Sequence, residues 1–283
     1  MAIPTSADAA YSLNRYLYSH SGAVVSLRAN DAGGTTADFS LIAGVLDKTS
    51  GGGSVATWLA SLTAATAAFV AQLYDHSGNV NNTNVPATAD QPLLVEGDAD
   101  LGNVAEFDGT DDWMRPGTGT LVNGTDETVA MVGKSVADQP SGLHLWFGSS
   151  TSHRLYVGQQ GTTWYCRLGN MSLTTPGTSD TAPHWIQASD ISGQVNFYVN
   201  GSVLGTGTNS STSAITNEGI GAFNNGSSSF WNGRMAECYF WDKAFTAQER
   251  IDLNDFMEDF YFGGGGLAIP IIQHHRKQLM AGY

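Results

Sequence analysis

The sequence predicts an all-β fold: a sandwich of two antiparallel sheets with short N-terminal helices and one C-terminal capping helix. Three observations predict it. Only 13% of the residues are charged while 34 of 283 are glycine, a balance that suits short strands joined by tight turns and not a helical bundle rich in Lys, Glu and Arg. From Gly102 onward, short apolar runs recur between clusters of Gly, Asn and Ser, as in a sandwich or barrel. Asn200-Gly201, between NFYV and SVLG, is the strongest hairpin signal in the chain.

Taken in order, residues 1–50 read as mixed structure. Ala10–Leu17 (AYSLNRYL) has apolar residues spaced for a short helix, and Ala23–Ala29 (AVVSLRA) reads as a strand. After the break at Gly51–Gly53, Ser54 is placed to cap a helix over Ser54–Ala65. Ala67–Tyr74 has the apolar density of a buried strand, and Asp75–Asn84 the composition of a loop. The sandwich core is predicted over about 102–262. It opens with Val104–Phe107, the tight acidic loop Asp108–Asp112 and Trp113-Met114. Strands follow at Glu127–Ser135, Gly142–Gly148, His153–Val157, Trp164–Leu168, Pro183–Ser189, Val195–Val199, Gly219–Ala222 and Gly233–Trp241.

The period then changes. Thr246 with Glu249 makes a capping box, and Ile251, Leu253, Phe256, Met257 and Phe260 form a helical apolar stripe. Residues 1–262 thus read as one domain with an N-terminal elaboration. Residues 263–283 read as a glycine hinge followed by a docking arm, in which Ile269, Pro270, Ile271 and Ile272 precede His274, His275, Arg276 and Lys277. A basic peptide that docks on an acidic partner accounts for that tract more simply than a metal site does.

Net charge is −14, from 12 basic and 26 acidic residues. Such a chain repels nucleic-acid backbones and anionic membranes. Val55–Leu73, an uncharged and partly apolar stretch, is too polar for a membrane span. The opening MAIPTSADAAYSL lacks the basic start and apolar run of a secretory leader, so a role outside the cell is expected to be reached by lysis or assembly. Cys166 and Cys238 both fall in predicted strands, where cysteine is usually a buried apolar residue.

The run Ala105-Glu106-Phe107-Asp108-Gly109-Thr110-Asp111-Asp112-Trp113 resembles the opening strand of concanavalin A-like/laminin G-type jelly-roll domains. Phe197-Tyr198-Val199-Asn200-Gly201 is similar to their central hairpin, and Gly233–Trp241 with Asp242, Thr246 and Glu249 to their closing strand and helix. Upstream, Tyr74-Asp75-His76-Ser77-Gly78-Asn79 with Gln91-Pro92 resembles a YDQSGN…QP element. That element precedes such sandwiches in bacteriophage virion proteins and in arabinofuranosidase B-type domains. Here His76 stands where the element usually has Gln. The adjacent cysteines of the arabinofuranosidases have no counterpart.

Candidate chemistry is sparse. Glycoside hydrolysis needs two carboxyl groups about 5–10 Å apart, one with a raised pKa. Asp75, Asp108, Asp111, Asp112 and Glu237 are the acids to consider. No pair among them is placed by motif, so no catalytic residue is assigned. Asp108, Asp111 and Asp112 offer hard oxygen ligands suited to Ca²⁺, although a solvated acidic loop is the commoner meaning of such a cluster. For carbohydrate, Trp231 in NNGSSSFWNG is the expected exposed platform, with Trp113 and Asn224 as companions. The resemblance and the arm together imply a bacteriophage virion structural protein: a capsid decoration, head-fibre or tail-associated subunit. It would contact other virion subunits and further copies of itself, with its sandwich facing host-surface glycans. A glycoside hydrolase of arabinofuranosidase B type is the alternative.

Overall fold

A computed structural model of the chain describes residues 7–262, apart from 19, 86, 118–125, 137–142, 150–154, 162, 169–170, 179–180, 210–217 and 224–225. Asn224 and the arm residues Ile269, Pro270, Ile271, Ile272, His274, His275, Arg276 and Lys277 therefore lie outside the described residues. In chain order the strands are β1 Ala9–Ser12, β2 Val25–Ala29, β3 Thr36–Ile42, β4 Val45–Lys48, β5 Ala68–Leu73, β6 Leu93–Asp98, β7 Gly102–Asp108 and β8 Thr128–Ser135. Then come β9 Leu143–Gly148, β10 Leu155–Gln160, β11 Thr163–Leu168, β12 Met171–Thr178, β13 His184–Ile191, β14 Gln194–Val199, β15 Ser202–Thr208, β16 Gly219–Ile220 and β17 Asn232–Trp241. Helix α1 spans Val55–Ala60 and α2 spans Ala247–Met257.

The strands make two antiparallel sheets, the jelly-roll sandwich the sequence predicts. A 12-stranded sheet runs β15-β14-β13-β8-β17-β7-β6-β5-β2-β3-β4, with β1 also paired to β17. The second sheet runs β12-β11-β10-β9-β16. Period-2 alternation sorts the side chains of the large sheet into two clusters. Ile186, Ala188, Phe197, Cys238 and Phe240 face the small sheet and fill the core between the layers. Ala130, Val132, Trp185, Tyr239 and Trp241 face the other way, where Leu253 and Met257 of α2 cover them. Each fully buried large apolar side chain contributes roughly 1.5–3 kcal/mol, so the second layer is a substantial core.

Asn200 and Gly201 have φ of +48° and +73°, the type I′ turn that joins β14 to β15. A Cβ on Gly201 would collide with the side chain of Asn254 in α2, so the glycine also lets turn and helix approach. The predicted capping box of α2 is present, with Glu249 N–H donating to Thr246 Oγ1 at 3.2 Å and Thr246 N–H to Glu249 Oε2 at 2.8 Å.

The structure corrects three expectations. AYSLNRYL is not helical: Ala9–Ser12 pairs with Phe240–Glu237 of β17. All four residues of β1 are buried, so its apolar pattern shows no alternation, and the backbone bonds offered by β17 outweigh local spacing. The helix capped by Ser54 stops at Ala60, short of Ala65, where β-branched Thr63 and Thr66 flank Ala64 at φ +62°. In α2, Leu253 and Met257 are buried but Ile251 is 52% exposed. Cys166 and Cys238 are free and buried, as strand cysteines packed like apolar residues. No helix among the described residues is long and apolar enough to cross a membrane.

Candidate functional site

The two isolated acids singled out for catalysis hold the fold together. Asp75 Oδ1 accepts from the backbone N–H groups of Ala10 and Ser77, both at 2.9 Å. Its Oδ2 accepts from Ser77 Oγ at 2.7 Å and the Asn81 N–H at 2.9 Å. The DHSGN turn is thereby stapled to β1. Glu237 is fully buried at the point where the pairing of β17 with β8 shifts register. Arg15 grips it bidentately, Nε to Oε1 and Nη2 to Oε2, each at 2.6 Å. Ser12 Oγ donates to Oε1 at 2.8 Å and Tyr239 Oη to Oε2 at 2.5 Å. The Arg15 guanidinium lies 3.8 Å from the Phe256 ring centroid and 4.0 Å from that of Phe260, a cation–π clamp that ties the helix end to the sheet.

Asp108, Asp111 and Asp112 do converge, each offering an oxygen within 4.8 Å of the others. Asp112 is buried, and burial first, then the charges of Asp108 and Asp111, push its carboxyl up to about 7. The same oxygens shape the turn: Asp112 Oδ2 accepts from the Asp108 N–H at 2.9 Å, and Asp108 Oδ1 from the Thr110 N–H at 2.7 Å. The three acids are thus sterically able to meet a hard cation, and two of them already cap the loop.

Trp231 is the clearest correction. It is wholly buried, its ring 4.6 Å from that of Trp146 and 5.5 Å from that of Phe107. Its Nε1 donates to Ser135 Oγ at 3.2 Å, and Ser135 Oγ to Gln159 Oε1 at 2.6 Å. The indole lies so close over Gly233 that a Cβ there would collide with it. Trp231 is therefore core and not an exposed platform. Trp113 is also buried.

A concave site lies elsewhere, on the face of the large sheet turned away from the small one. Here a cleft of about 270 Å³ opens between β13–β14 and residues 247–254 of α2. Its floor is Trp185 and Gln187 on β13 with Tyr198, the cross-strand partner of Gln187, on β14. The helix wall presents Ala247, Arg250, Ile251 and Asn254, which share one face by their spacing of three and four. Gln187 and Trp185 are each 1% exposed. Neither side-chain amide atom of Gln187 has a hydrogen-bond partner, nor does Trp185 Nε1 or Asn254 Oδ1. Arg250 Nη1 donates to the Phe245 carbonyl at 2.7 Å, and its guanidinium stands 5.8 Å from the Tyr198 ring centroid. None of these residues was singled out in the sequence as a ligand contact. The one available signal was Gln187, a polar residue at a strand position flanked by apolar ones.

The architecture defines a class, the concanavalin A-like jelly roll. Residues 111–249 match the laminin G-type family profile described as the Concanavalin A-like lectin/glucanases superfamily. No curated protein matches the chain in sequence. An arabinofuranosidase complexed with arabinofuranosyl-alpha-1,2-xylobiose superposes with a TM-score of 0.65 at 16% identity, covering 88% of this chain and 61% of its own. A GH54 α-L-arabinofuranosidase soaked with a cyclic sulfate inhibitor gives 0.63 at 15%, covering 88% and 62%. The binding domain of Paraclostridial Mosquitocidal Protein 1 gives 0.53 at 13%, covering 65% and 49%. The chain spans about three fifths of the length of those two arabinofuranosidases. At these identities the likeness is one of fold.

Proposed function

We propose that the protein is a non-catalytic structural subunit of a bacteriophage particle, a capsid decoration, head-fibre or tail-associated protein whose lectin-type sandwich faces host-surface glycans. One observation carries the non-catalytic half. Glu237 and Asp75 spend their oxygens on internal donors, whereas a glycosidase needs a carboxyl pair free to reach a glycosidic bond. The likeness of the YDHSGN element to phage proteins and the apolar-then-basic arm after Gly263–Gly266 support the particle. A chain of net charge −14, with no acidic residue in its arm, suits a basic arm that docks on a neighbouring copy or another virion subunit. The reading uses no cofactor and no nucleic acid.

The second reading is a hydrolase of arabinofuranosidase B type, favoured by a fold likeness that runs over 88% of the chain. Incubation with aryl arabinofuranosides and with plant and bacterial polysaccharides separates the two. No turnover is expected, and turnover by the intact protein would overturn the proposal. Deleting residues 264–283 should leave a folded domain that no longer enters particles or self-associates. Normal assembly of that variant would remove the docking role of the arm.

A further inference from the structure

We infer that the cleft between β13–β14 and α2 receives the C-terminal arm of a second copy of this chain. The inference deepens the reading of an arm that docks on a neighbouring copy and rests on it. Apolar side chains that face solvent border the cleft. Ile251 on the helix wall is 52% exposed, and Val203, the cross-strand partner of Tyr198 on the floor, is 54% exposed. Cross-strand partners share a face, so Val203 extends the apolar floor past Tyr198. Along the helix the surface then turns acidic. Ile251, Asp255 and Asp259 follow one another at intervals of four, which sets them in one row, and both acids are exposed. Glu258 adds a third carboxylate, and α2 has no basic residue in its last turn. Among the described residues, Asp255, Glu258 and Asp259 form no salt bridge. Their charges gather at the negative end of the helix dipole, where cations are favoured.

The arm matches that row in kind and in order. Ile269, Pro270, Ile271 and Ile272 precede His274, His275, Arg276 and Lys277, and residues 263–283 contain no acid. Laid parallel to α2, the isoleucines meet Ile251 and Val203 while the cations meet Asp255, Glu258 and Asp259. The spacing agrees as well. Ile272 and Arg276 are about 13 Å apart in an extended chain, and Ile251 and Asp259 are about 12 Å apart along a helix. Direction then selects the second copy. Arg250 lines the cleft and repels the basic half of an arm, which leaves that end to the apolar half. The chain's own arm departs from Phe262, at the far end of the helix, and runs back the opposite way. It would set its isoleucines against Asp259 and Asp255 and carry its cations past Arg250. To enter at Ala247 it would have to return about 22 Å along the helix and then reverse, whereas Gly263–Gly266 span at most about 14 Å. An arm from another copy is free of that constraint.

The test uses full chains in sedimentation equilibrium, where the parent should self-associate. Asp255→Lys with Asp259→Lys reverses the row, and Arg276→Glu with Lys277→Glu reverses the arm. Each double variant should associate at least about tenfold more weakly than the parent. Mixed in equal amounts, the two should associate again to within about threefold of the parent, because each arm then meets a helix of opposite charge. Ile251→Gln probes the apolar end and should also weaken association by about tenfold. The three helix positions are exposed, so the variants should melt with the parent, and recovery in the mixture cannot come from unfolded chains. Association within about twofold of the parent by any of the three variants alone, or a mixture that stays monomeric, would overturn the cleft and leave an arm that docks elsewhere. A parent that is monomeric at every concentration would overturn the second copy as occupant and leave docking on another virion subunit. Normal assembly after deletion of residues 264–283 would overturn the docking arm itself.

Discussion

Two buried polar clusters lie on the face of the large sheet that α2 covers, and they differ in one respect. Around Glu237 every oxygen has a donor: Arg15 twice, Ser12 and Tyr239. Around Gln187 the side-chain amide has none. The first cluster is sealed by Phe256 and Phe260 against the Arg15 guanidinium, while the second opens into a cleft. The satisfied cluster ties β1 and the end of α2 to the sheet, while the unsatisfied one leaves a buried amide uncompensated. Polarity and burial alone would have ranked Glu237 first.

That contrast can be broken by substitution. The largest effect is expected at Glu237→Gln, which leaves Arg15 without its counter-charge and should cost on the order of 3–5 kcal/mol in urea unfolding. Replacing both partners, Arg15→Met with Glu237→Leu, should recover part of the loss; no recovery would mean that the cluster does more than fill space. His76 falls between the two clusters: its Nδ1 accepts from the Leu17 N–H at 3.3 Å, while Nε2 has no partner. Burial, then the stacked His20 ring 4.3 Å away, holds His76 down to about 3. The unfolded imidazole takes a proton below about 6.5 and the folded one does not. Its contribution is therefore present above pH 6.5 and is lost as pH falls towards 3. Thermal melts of His76→Gln, which installs the residue usual in that element, should flatten this acid limb, by on the order of 3 kcal/mol at pH 4.

Smaller and opposite in sign is Gln187→Met, expected to raise stability by about 1 kcal/mol; a fall would place Gln187 with Glu237 among the structural groups. Smallest is Asp112→Asn. Because the folded carboxyl is pushed up to about 7, the native state favours the protonated acid. That advantage is present below about pH 4 and is lost as pH rises through 7. The variant should gain on the parent only at the alkaline end, and calcium should leave both melting temperatures unchanged. A calcium-dependent rise confined to the parent would instead mark a cation site at Asp108, Asp111 and Asp112.

Much of the architecture was legible in local signals. The Asn200-Gly201 turn and the Thr246–Glu249 box each announce geometry that a few neighbouring residues determine. The strands from β7 to β17 were visible because turn residues punctuate them, apart from β12, whose MSLTTPGT carries Pro176 and little apolar weight. Strands β3 and β4 were missed because TADFSLI and VLDK are short, half-polar pieces at the far edge of the sheet. The site was mostly illegible. Trp231 sits in a loop-like sequence, yet it is swallowed by the space above Gly233. The cleft joins residues of β13 and β14 to a helix about fifty positions later, and an unpaired amide is a property of three dimensions.

The bond between Ser12 and Glu237 joins residues 225 positions apart, and among the described residues the strand that pairs with β1 is β17. Contacts of such long sequence separation form late, after the entropy of closing the chain has been paid. On a ribosome, β1 emerges well before β17, the strand with which it pairs. Pairing of β1 therefore follows synthesis of β17, and a chain interrupted before β17 lacks the strand with which β1 pairs.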